Sequence, residues 1–258
     1  MKKSGVKKNN LSVGILARPS EISTVVKKLI PKLSWSDDLV IVIDNSLGED
    51  KNYFFPKGVK VYFRRLKDDY AAQRNFLLRK TKNDWVFFID PDERFNSKFI
   101  KEVFEKINQN RYRGLMIRRE EVFLNKRLKY GEGSIWILRI GNKRYGRWEG
   151  KVHEKWVIEP KLVGRIKTRI THFGYKNDIK GFLEKNLIYA KIRADELAVK
   201  RKSSIALFFL KPIFKFCQNY FWRGGFLDGR PGLIHALCMA FYSLCTEIFI
   251  LGKFKKSD

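Results

Sequence analysis

The acidic cluster Asp90-Pro91-Asp92-Glu93 follows directly on an apolar run, Val86 to Ile89. The run is too short for a helix core and is typical of a strand buried on both faces of a parallel sheet. Ligands bind beyond the carboxyl ends of strands in open α/β sheets, where carboxylate oxygens suit Mg²⁺ or Mn²⁺. We therefore predict that Asp90 and Asp92 hold a divalent cation. The alternative is a polar turn, which Pro91 also favours because it ends the strand.

A further carboxylate, Asp44, ends the apolar segment Leu39 to Ile43 in the same way. A carboxylate in this position commonly binds ribose hydroxyls or a base edge, although an Asp followed by Asn45 is equally typical of a turn. Two such strand ends in one sheet fit a nucleotide diphosphate that spans the sheet edge.

Arg74 and Asn75 lie on a predicted helix that begins Tyr70-Ala71-Ala72-Gln73. The small residues of this helix would let a ligand approach closely. We therefore include Arg74 and Asn75, with Asp44 and Asp90, among the residues expected to bind the nucleotide. A solvated helix face is the competing interpretation for Arg74.

The segment Trp148-Glu149-Gly150-Lys151-Val152-His153-Glu154 is the other polar cluster of interest. A lone histidine is usually structural, but here His153 adjoins Glu154, so the pair can supply a ligand or a general base. The spacing is not that of HExxH, so the segment does not match the zinc-protease pattern.

Around these residues, strands and helices alternate, a pattern that predicts a mostly parallel α/β sheet flanked by helices. The predicted strands are Leu11–Ala17, Leu39–Ile43, Val59–Phe63 and Val86–Ile89. The predicted helices run from Pro19 or Ser20 to a stop at Pro31, from a cap at Asp68 or Asp69 to about Lys80, and from a cap at Asn96 or Ser97.

The pattern changes after Gly114. Leu115–Arg119 and Ile135–Ile140 are predicted to be antiparallel strands around a Gly131-Glu132-Gly133 turn, and a long helix should follow from Asp178 to about Lys200. We predict two domains: residues 1–165 form the nucleotide-binding catalytic domain, and residues 166–258 form a helical, basic and apolar C-terminal region.

Charge is the outlying feature of the composition. The chain has 54 Lys and Arg against 27 Asp and Glu, a net charge of +27. Such an excess indicates an anionic partner, which is nucleic acid, anionic lipid or a phosphate-bearing substrate. A basic nucleic-acid-binding protein is therefore one alternative, although no RNP, KH or zinc-finger signature supports it.

The C-terminal region mixes aromatic, apolar and basic residues. Gly232 to Leu251 is nearly long enough to span a bilayer, but His235 and Glu247 interrupt it. The preceding aromatic residues alternate with Lys211, Lys215 and other cations, which suits a helix lying in the headgroup region of an anionic membrane. We predict peripheral membrane attachment, with a packed helical subdomain and a transmembrane span as alternatives.

Four segments together resemble family 2 glycosyltransferases, in particular the branch of WaaE-like enzymes of lipopolysaccharide core synthesis. They are Asp69-Tyr70-Ala71-Ala72-Gln73-Arg74-Asn75-Phe76, Asp84 to Arg94, Arg147 to Glu154, and Gly225-Phe226-Leu227-Asp228-Gly229-Arg230-Pro231-Gly232-Leu233. An acid-x-acid pair alone is a weak signal, whereas this ordered set covers most of the chain.

The resemblance implies a GT-A (Rossmann-like) fold and a nucleotide-sugar donor, usually a UDP-sugar. Asp44 would contact the nucleoside, and Asp90 and Asp92 would form the DxD pair, with Asp92 the more direct ligand of Mn²⁺ or Mg²⁺. His153 and Glu154 would line the reaction centre, with Glu154 as the base of an inverting transfer.

The chain departs from the family pattern in two places. The acidic start of the first loop is replaced by Ala17-Arg18-Pro19-Ser20-Glu21, and the Asp of a Trp-Tyr-Pro-Asp segment is missing at Gly133-Ser134-Ile135-Trp136. The second departure keeps an inactive transferase-like membrane scaffold as an alternative. The main prediction is an enzyme on the inner face of the cytoplasmic membrane. It would act on a cell-surface glycan or lipid-linked acceptor and would not bind nucleic acid.

Overall fold

The computed structural model describes residues 10–46, 48, 53–67, 69–150, 154–174, 178–199 and 204–254. The chain divides into two compact units. The first unit comprises Met1–Arg118 and Trp136–Ile170, and the second comprises Arg119–Ile135 and Thr171–Asp258. The predicted functional domains, 1–165 and 166–258, stay a prediction.

Strands and helices alternate through the first part of the chain, as predicted. The strands are β1 (Leu11–Ala17), β2 (Leu39–Ile43), β3 (Val59–Phe63), β4 (Trp85–Phe88), β5 (Glu93–Arg94), β6 (Gly114–Phe123), β7 (Lys126–Arg127), β8 (Ser134–Asn142), β9 (Arg147–Glu149), β10 (Lys155–Val157) and β11 (Val163–His172). The α-helices are α1 (Ile22–Thr24), α2 (Tyr70–Lys80), α3 (Ser97–Asn108), α4 (Ile179–Ala198), α5 (Ile205–Cys217) and α6 (Arg230–Phe254).

The strand order of the main sheet is β3-β2-β1-β4-β8-β6-β11-β5, with β7 paired to β6. The pairs β1–β2, β2–β3 and β1–β4 are parallel, and β4 pairs antiparallel with β8. Beyond β3 the chain returns to the far side of β1 to form β4, so the strand order reverses between β1 and β4. In open α/β sheets such a reversal leaves a ligand crevice at the carboxyl ends of the two strands.

The predicted α/β class is confirmed, and the two apolar runs at β2 and β4 are buried, whereas the edge strand β3 is partly exposed. All residues of β2 and β4 are buried. Helix α2 packs closely on β1 at Gly14, where an added Cβ would lie 2.4 Å from Leu77 Cδ2. Gly14 therefore lets α2, which carries Arg74 and Asn75, approach the sheet.

Side-chain caps begin the helices near the predicted residues. Asp69 accepts a hydrogen bond from the Ala72 N–H at the start of α2, and Asn96 accepts one from Phe99 at the start of α3. Asp68, the other predicted cap, lies outside the described residues. These caps accept hydrogen bonds from amide groups that the helix itself leaves without partners.

The first predicted helix is irregular. Its helical turns are Pro19–Glu21 (3₁₀), Ile22–Thr24 (α), Val25–Leu29 (π) and Ile30–Leu33 (3₁₀). The prediction of a stop at Pro31 was wrong, because a 3₁₀ turn begins at Ile30 and accommodates the proline near its start.

The second unit contains a hairpin that the sequence did not indicate. In β6 and β7, Val122 pairs with Arg127 and Phe123 with Lys126. The connecting residues Leu124 and Asn125 both have positive φ, as a tight two-residue hairpin turn requires. The predicted turn at Gly131–Gly133 is instead a 3₁₀ turn that precedes β8.

Three helices dominate the second unit, and α6 packs against both α4 and α5. A small core joins them to β6 through Phe123, Leu128, Phe182 and Cys238. The described part of the chain has one helical segment, Arg230–Lys253, that is long and apolar enough to cross a membrane. In the structure, 39% of its apolar window is buried.

Candidate active site

The carboxyl end of β4 leads into a tight turn. Ile89 continues the parallel pairing, its N–H donating to the Gly14 carbonyl over 3.1 Å. The Asp90 N–H donates to Glu93 Oε2 over 3.0 Å, and Arg94 Nη1 donates to the Pro91 carbonyl over 2.7 Å. Glu93 and Arg94 therefore fix the turn that carries Asp90 and Asp92.

Two arginines bind the carboxylate of Asp90. Arg139 Nη2 lies 2.6 Å from Asp90 Oδ2, and Arg74 Nη2 lies 3.4 Å from Asp90 Oδ1. Burial lowers the pKa of Arg139, but nearby carboxylates, Asp90 foremost, outweigh it and raise the pKa. Arg139 therefore stays protonated although it is almost wholly buried.

Arg74 also binds Glu154. Its Nε donates to Glu154 Oε1 over 2.8 Å, and the two side chains are only 6% and 15% exposed. The guanidinium carbon lies 4.6 Å from the ring centre of Trp148 and 5.3 Å from that of Phe88. Arg74 thus joins the strand-end carboxylate Asp90 to the candidate base Glu154, and the aromatic rings hold it in place.

The remaining nitrogen of Arg74, Nη1, and the indole nitrogen of Trp148 are buried without a hydrogen bond to a described residue. A buried donor of this kind costs free energy unless a partner is bound.

Asn75 holds the hairpin that carries Glu154. Its Nδ2 donates to the Trp148 carbonyl over 2.8 Å, and its Oδ1 accepts from the Trp148 N–H over 3.0 Å. Trp148 on β9 pairs with Trp156 on β10, and both indole rings pack edge-on against Phe88. The helix residue next to Arg74 therefore fixes the position of the β9–β10 hairpin.

Asp44 lies beyond β2, at the same edge of the sheet as Asp90, and its backbone N–H donates to Ala17. Its Oδ1 accepts from the Ser46 and Leu66 N–H groups, each over 3.0 Å. A single carboxylate oxygen of Asp44 therefore links the loop after β2 to the segment after β3. Contact between Asp44 and a nucleoside stays a prediction.

Sequence reasoning missed two residues of the site, Arg139 and Glu21. Arg139 is the one cation within the apolar segment Ile135–Ile140, and that unusual position was the available signal. Burial raises the pKa of Glu21, and the charges of Asp92 and Asp90 add to this rise while Arg18 opposes it. The segment that lacks the family's acidic loop start therefore still brings a carboxyl group near the acidic turn.

His153 lies outside the described residues. Glu154, which follows it, has the position given above. The catalytic roles predicted for His153 and Glu154 stay predictions.

Within the described ranges, no group of three or more His, Cys, Asp or Glu side chains is arranged to hold a metal ion. A cage of that kind is not what Mg²⁺ requires, because it is usually held by one or two carboxylates together with substrate phosphates. Both oxygens of Asp90 bind arginine. The carboxylates of this turn are of the type that suits such a cation, and metal binding by Asp90 and Asp92 stays a prediction.

Comparison with known proteins supplies the family. The sequence pattern described as "Glycosyl transferase family 2" matches residues 18–154, more than half of the chain. The match runs from the loop after β1 to Glu154 and therefore spans the whole cluster described above.

Two curated relatives carry similar descriptions. The lipopolysaccharide core biosynthesis glycosyltransferase LpsC of Rhizobium meliloti (strain 1021) is 29% identical over 190 residues, which cover 69% of this chain and 67% of LpsC. An uncharacterized glycosyltransferase of Haemophilus influenzae is 29% identical over 96 residues, 36% of this chain and 32% of that protein. The chain therefore spans about two thirds of the first relative and one third of the second.

Among solved structures, S. aureus TarS is similar over 96% of this chain and 55% of its own, with 14% identity and a TM-score of 0.40. A shorter form, TarS 1–349, matches over 96% of this chain and 92% of its own, with 14% identity and a TM-score of 0.38. The α/β sheet flanked by helices is GT-A-like, as the family match requires. The chain belongs to glycosyl transferase family 2 and is a glycosyltransferase.

Proposed function

We propose that this glycosyltransferase moves a sugar from a UDP-sugar to a cell-surface glycan or a lipid-linked acceptor, in a metal-dependent reaction that inverts the anomeric centre. The observation that carries the proposal is the chain of ion pairs Glu154–Arg74–Asp90–Arg139 at the carboxyl end of β4. It lies beside the reversal of strand order, where α/β sheets bind nucleotides.

The donor would lie across the carboxyl edge of β2, β1 and β4. Asp44 would contact the nucleoside, and the diphosphate would lie near Asp90 and Asp92. Arg74 Nη1, which has no hydrogen bond to a described residue, is suitably charged to donate to a donor oxygen. Mn²⁺ or Mg²⁺ bound at Asp92 would neutralise charge on the departing diphosphate.

Glu154 is the proposed base. Its Oε1 is held by Arg74, so its second oxygen can accept the proton of an acceptor hydroxyl while Arg74 fixes the direction of the carboxylate. Attack of that hydroxyl on the anomeric carbon in a single displacement inverts its configuration. His153, next to Glu154, would line the same centre.

The acceptor is proposed from chemistry and similarity together. LpsC is described as a lipopolysaccharide core enzyme, and we extend a role in lipopolysaccharide core synthesis to this chain as a proposal. A net charge of +27 favours an anionic surface or a phosphate-bearing acceptor. The proposed location is therefore the inner face of the cytoplasmic membrane, with peripheral attachment.

The test is calorimetric titration of UDP into the wild type and into Asp92→Ala, each with and without Mn²⁺. We expect Mn²⁺-dependent binding to the wild type and its loss in Asp92→Ala. Glu149→Ala, at an exposed position on β9, is the matched control and should bind as the wild type does. Turnover of the donors that bind, followed by NMR of the product anomer, would then identify the sugar and test inversion.

Other outcomes separate the alternatives. Binding of GDP, CMP or dTDP but not UDP would mean that the donor carries that nucleotide instead of UDP, and the proposed transferase site would stand. Mn²⁺-independent binding that survives in Asp92→Ala would contradict the metal role. If no nucleotide binds while RNA binds with a steep salt dependence, the nucleic-acid alternative would take its place.

A further inference from the structure

Helix α5 presents its apolar residues to solvent and its cations to the interior of the second unit. No residue of α5 is buried. Ile205, Phe209 and Ile213 recur every four residues, and Leu210 with Phe214 continues the same face. These side chains are between 53% and 76% exposed. We call these five residues the α5 face.

The opposite side of α5 carries the two lysines. Lys211 Nζ lies 3.0 Å from Glu247 Oε1 on α6, and Lys215 Nζ lies 2.5 Å from Glu132 Oε1. Glu247 is only 1% exposed. The lysines therefore face acidic partners within the unit, which is the reverse of the arrangement in a solvated amphipathic helix.

Aromatic residues extend the α5 face beyond the end of the helix. The ring of Trp222 lies 5.1 Å from that of Phe214, edge to face, and Trp222 is 68% exposed. Phe221 and Leu227, which lie on either side of Trp222 in the chain, are each 56% exposed. The α5 face and Trp222 form a contiguous apolar surface, which marks an interaction site rather than an ordinary solvated surface.

Two occupants would suit an apolar face, a lipid bilayer and a second copy of the chain. Charge decides between them, because two copies with a net charge of +27 repel each other while an anionic bilayer attracts either one. Arg223, which is exposed and lies 2.9 Å from Glu132 Oε1, follows Trp222 in the chain, and Arg230 is also exposed. Exposed Trp and Phe beside arginines are typical of the membrane interface.

We propose that the α5 face, with Trp222, inserts into the headgroup–acyl boundary of an anionic bilayer, while α6 serves as the internal partner of α5 and does not span the membrane. The Lys211–Glu247 ion pair supports the second part, because it ties the middle of α5 to a carboxylate buried within α6. The inference rests on the proposed membrane-associated function, and it assigns the attachment to the α5 face and Trp222.

The experiment is flotation of the full chain with vesicles of phosphatidylcholine alone or mixed with phosphatidylglycerol. The double variant Phe209→Ser/Ile213→Ser removes apolar area from the α5 face. Phe54→Ser/Val199→Ser removes two side chains that are 87% and 89% exposed elsewhere, and is the matched control. Far-UV circular dichroism spectra and thermal melting curves check that each variant is folded. If the double variant is unfolded, the single variant Ile213→Ser replaces it.

We expect the wild type and the control to float with the anionic vesicles. The partition coefficient of the α5-face variant should fall by about tenfold or more, because two large apolar side chains no longer insert. Unchanged flotation of that variant would overturn the proposal. So would a wild-type dimer, seen by sedimentation equilibrium, that the same variant dissociates. Attachment resistant to carbonate extraction would indicate a span by α6 instead.

The catalytic proposal can fail separately. Asp92→Ala should float as the wild type does, because vesicle binding does not need the donor site. Absence of UDP binding together with wild-type flotation would refute the proposed donor and leave the α5 face intact. Mn²⁺-dependent UDP binding without any flotation would refute membrane attachment through the α5 face and leave the proposed donor site intact.

Discussion

Arg74 Nε and Glu154 Oε1 are 2.8 Å apart although 80 positions of the sequence separate the two residues. The same guanidinium reaches Asp90 at the end of β4. One side chain on α2 therefore sets the distance between the acidic turn, where the donor is proposed to bind, and the hairpin that carries the proposed base. Substitution of Arg74 should affect both sides of the reaction centre.

Arg74→Ala should lower kcat about 100-fold, because Glu154 loses the contact that orients it and small displacements of a reacting group are costly. Arg74→Lys should recover little, since an ammonium group cannot bind Glu154 and Asp90 with the same planar geometry. Initial rates with the donor identified by turnover measure both. Arg79→Ala, at an exposed position on α2, is the control, and a wild-type kcat for Arg74→Ala would refute the orienting role.

Glu154→Gln should lower kcat about 100-fold to 10,000-fold while UDP affinity stays near that of the wild type. The amide keeps a hydrogen-bonding oxygen for Arg74 but cannot take a proton from the acceptor. Turnover and calorimetry on the same preparation separate the two effects. Glu149→Gln is the matched change on the same hairpin and should retain full turnover. Equal loss of UDP binding and turnover in Glu154→Gln would argue for a donor-binding role instead.

Gly14→Ala should destabilise the fold by about 1–3 kcal/mol, because the new Cβ overlaps the buried Leu77 side chain. The nearest atoms are Leu77 Cδ2 and Cδ1, at 2.4 and 3.2 Å. Valine lacks both atoms, so Leu77→Val should restore part of the loss when combined with Gly14→Ala. Urea unfolding of the two single variants and the double variant gives the coupling free energy.

The control for this cycle is Gly252→Ala, whose Cβ would meet no atom within 4 Å. Alanine in that helix should leave stability unchanged or raise it by about 0.5–1 kcal/mol. Strictly additive effects at positions 14 and 77 would mean that α2 shifts away from the sheet without meeting resistance.

Asp38 should contribute to stability at neutral pH and lose that contribution in acid. Burial by itself raises the pKa of Asp38, but hydrogen bonds from Lys60, Ser12 and the Lys82 N–H outweigh it, so the pKa is below its ordinary value of 3.8. A carboxyl group whose folded-state pKa is lowered stabilises the fold above its unfolded-state pKa. That stabilisation is lost as the pH falls through the folded-state pKa.

Asp38→Asn should therefore cost about 2 kcal/mol at pH 7, and its difference from the wild type should shrink below about pH 4. Denaturant unfolding across this range provides the measurement. The exposed neighbour Asp37 gives a matched control, and Asp37→Asn should change stability far less. A constant difference between wild type and Asp38→Asn at every pH would show that the carboxylate charge is not responsible.

The sequence by itself determined the local elements and their order. The segments Leu39–Ile43 and Val59–Phe63 form strands with those bounds. Leu39–Ile43 is apolar along its whole length because the strand is buried throughout, whereas Val59–Phe63 lies at the sheet edge and includes the exposed Lys60. The caps Asp69 and Asn96 were also readable, since their side chains act on amides only three residues away. The order of strands and helices along the sequence also placed Asp44 and Asp90 at the same sheet edge, because each follows a strand of one parallel sheet.

Only the tertiary structure decided which side chains meet. Arg74, Arg139 and Glu154 belong to a helix, an antiparallel strand and a hairpin, and no local pattern relates them. The same holds for the hairpin turn at Leu124–Asn125, because β6 and β7 together set its register while neither residue is glycine. Helix α5 is the clearest case. Its composition indicates a membrane helix, but the side it exposes follows from where Glu132 and Glu247 hold its lysines.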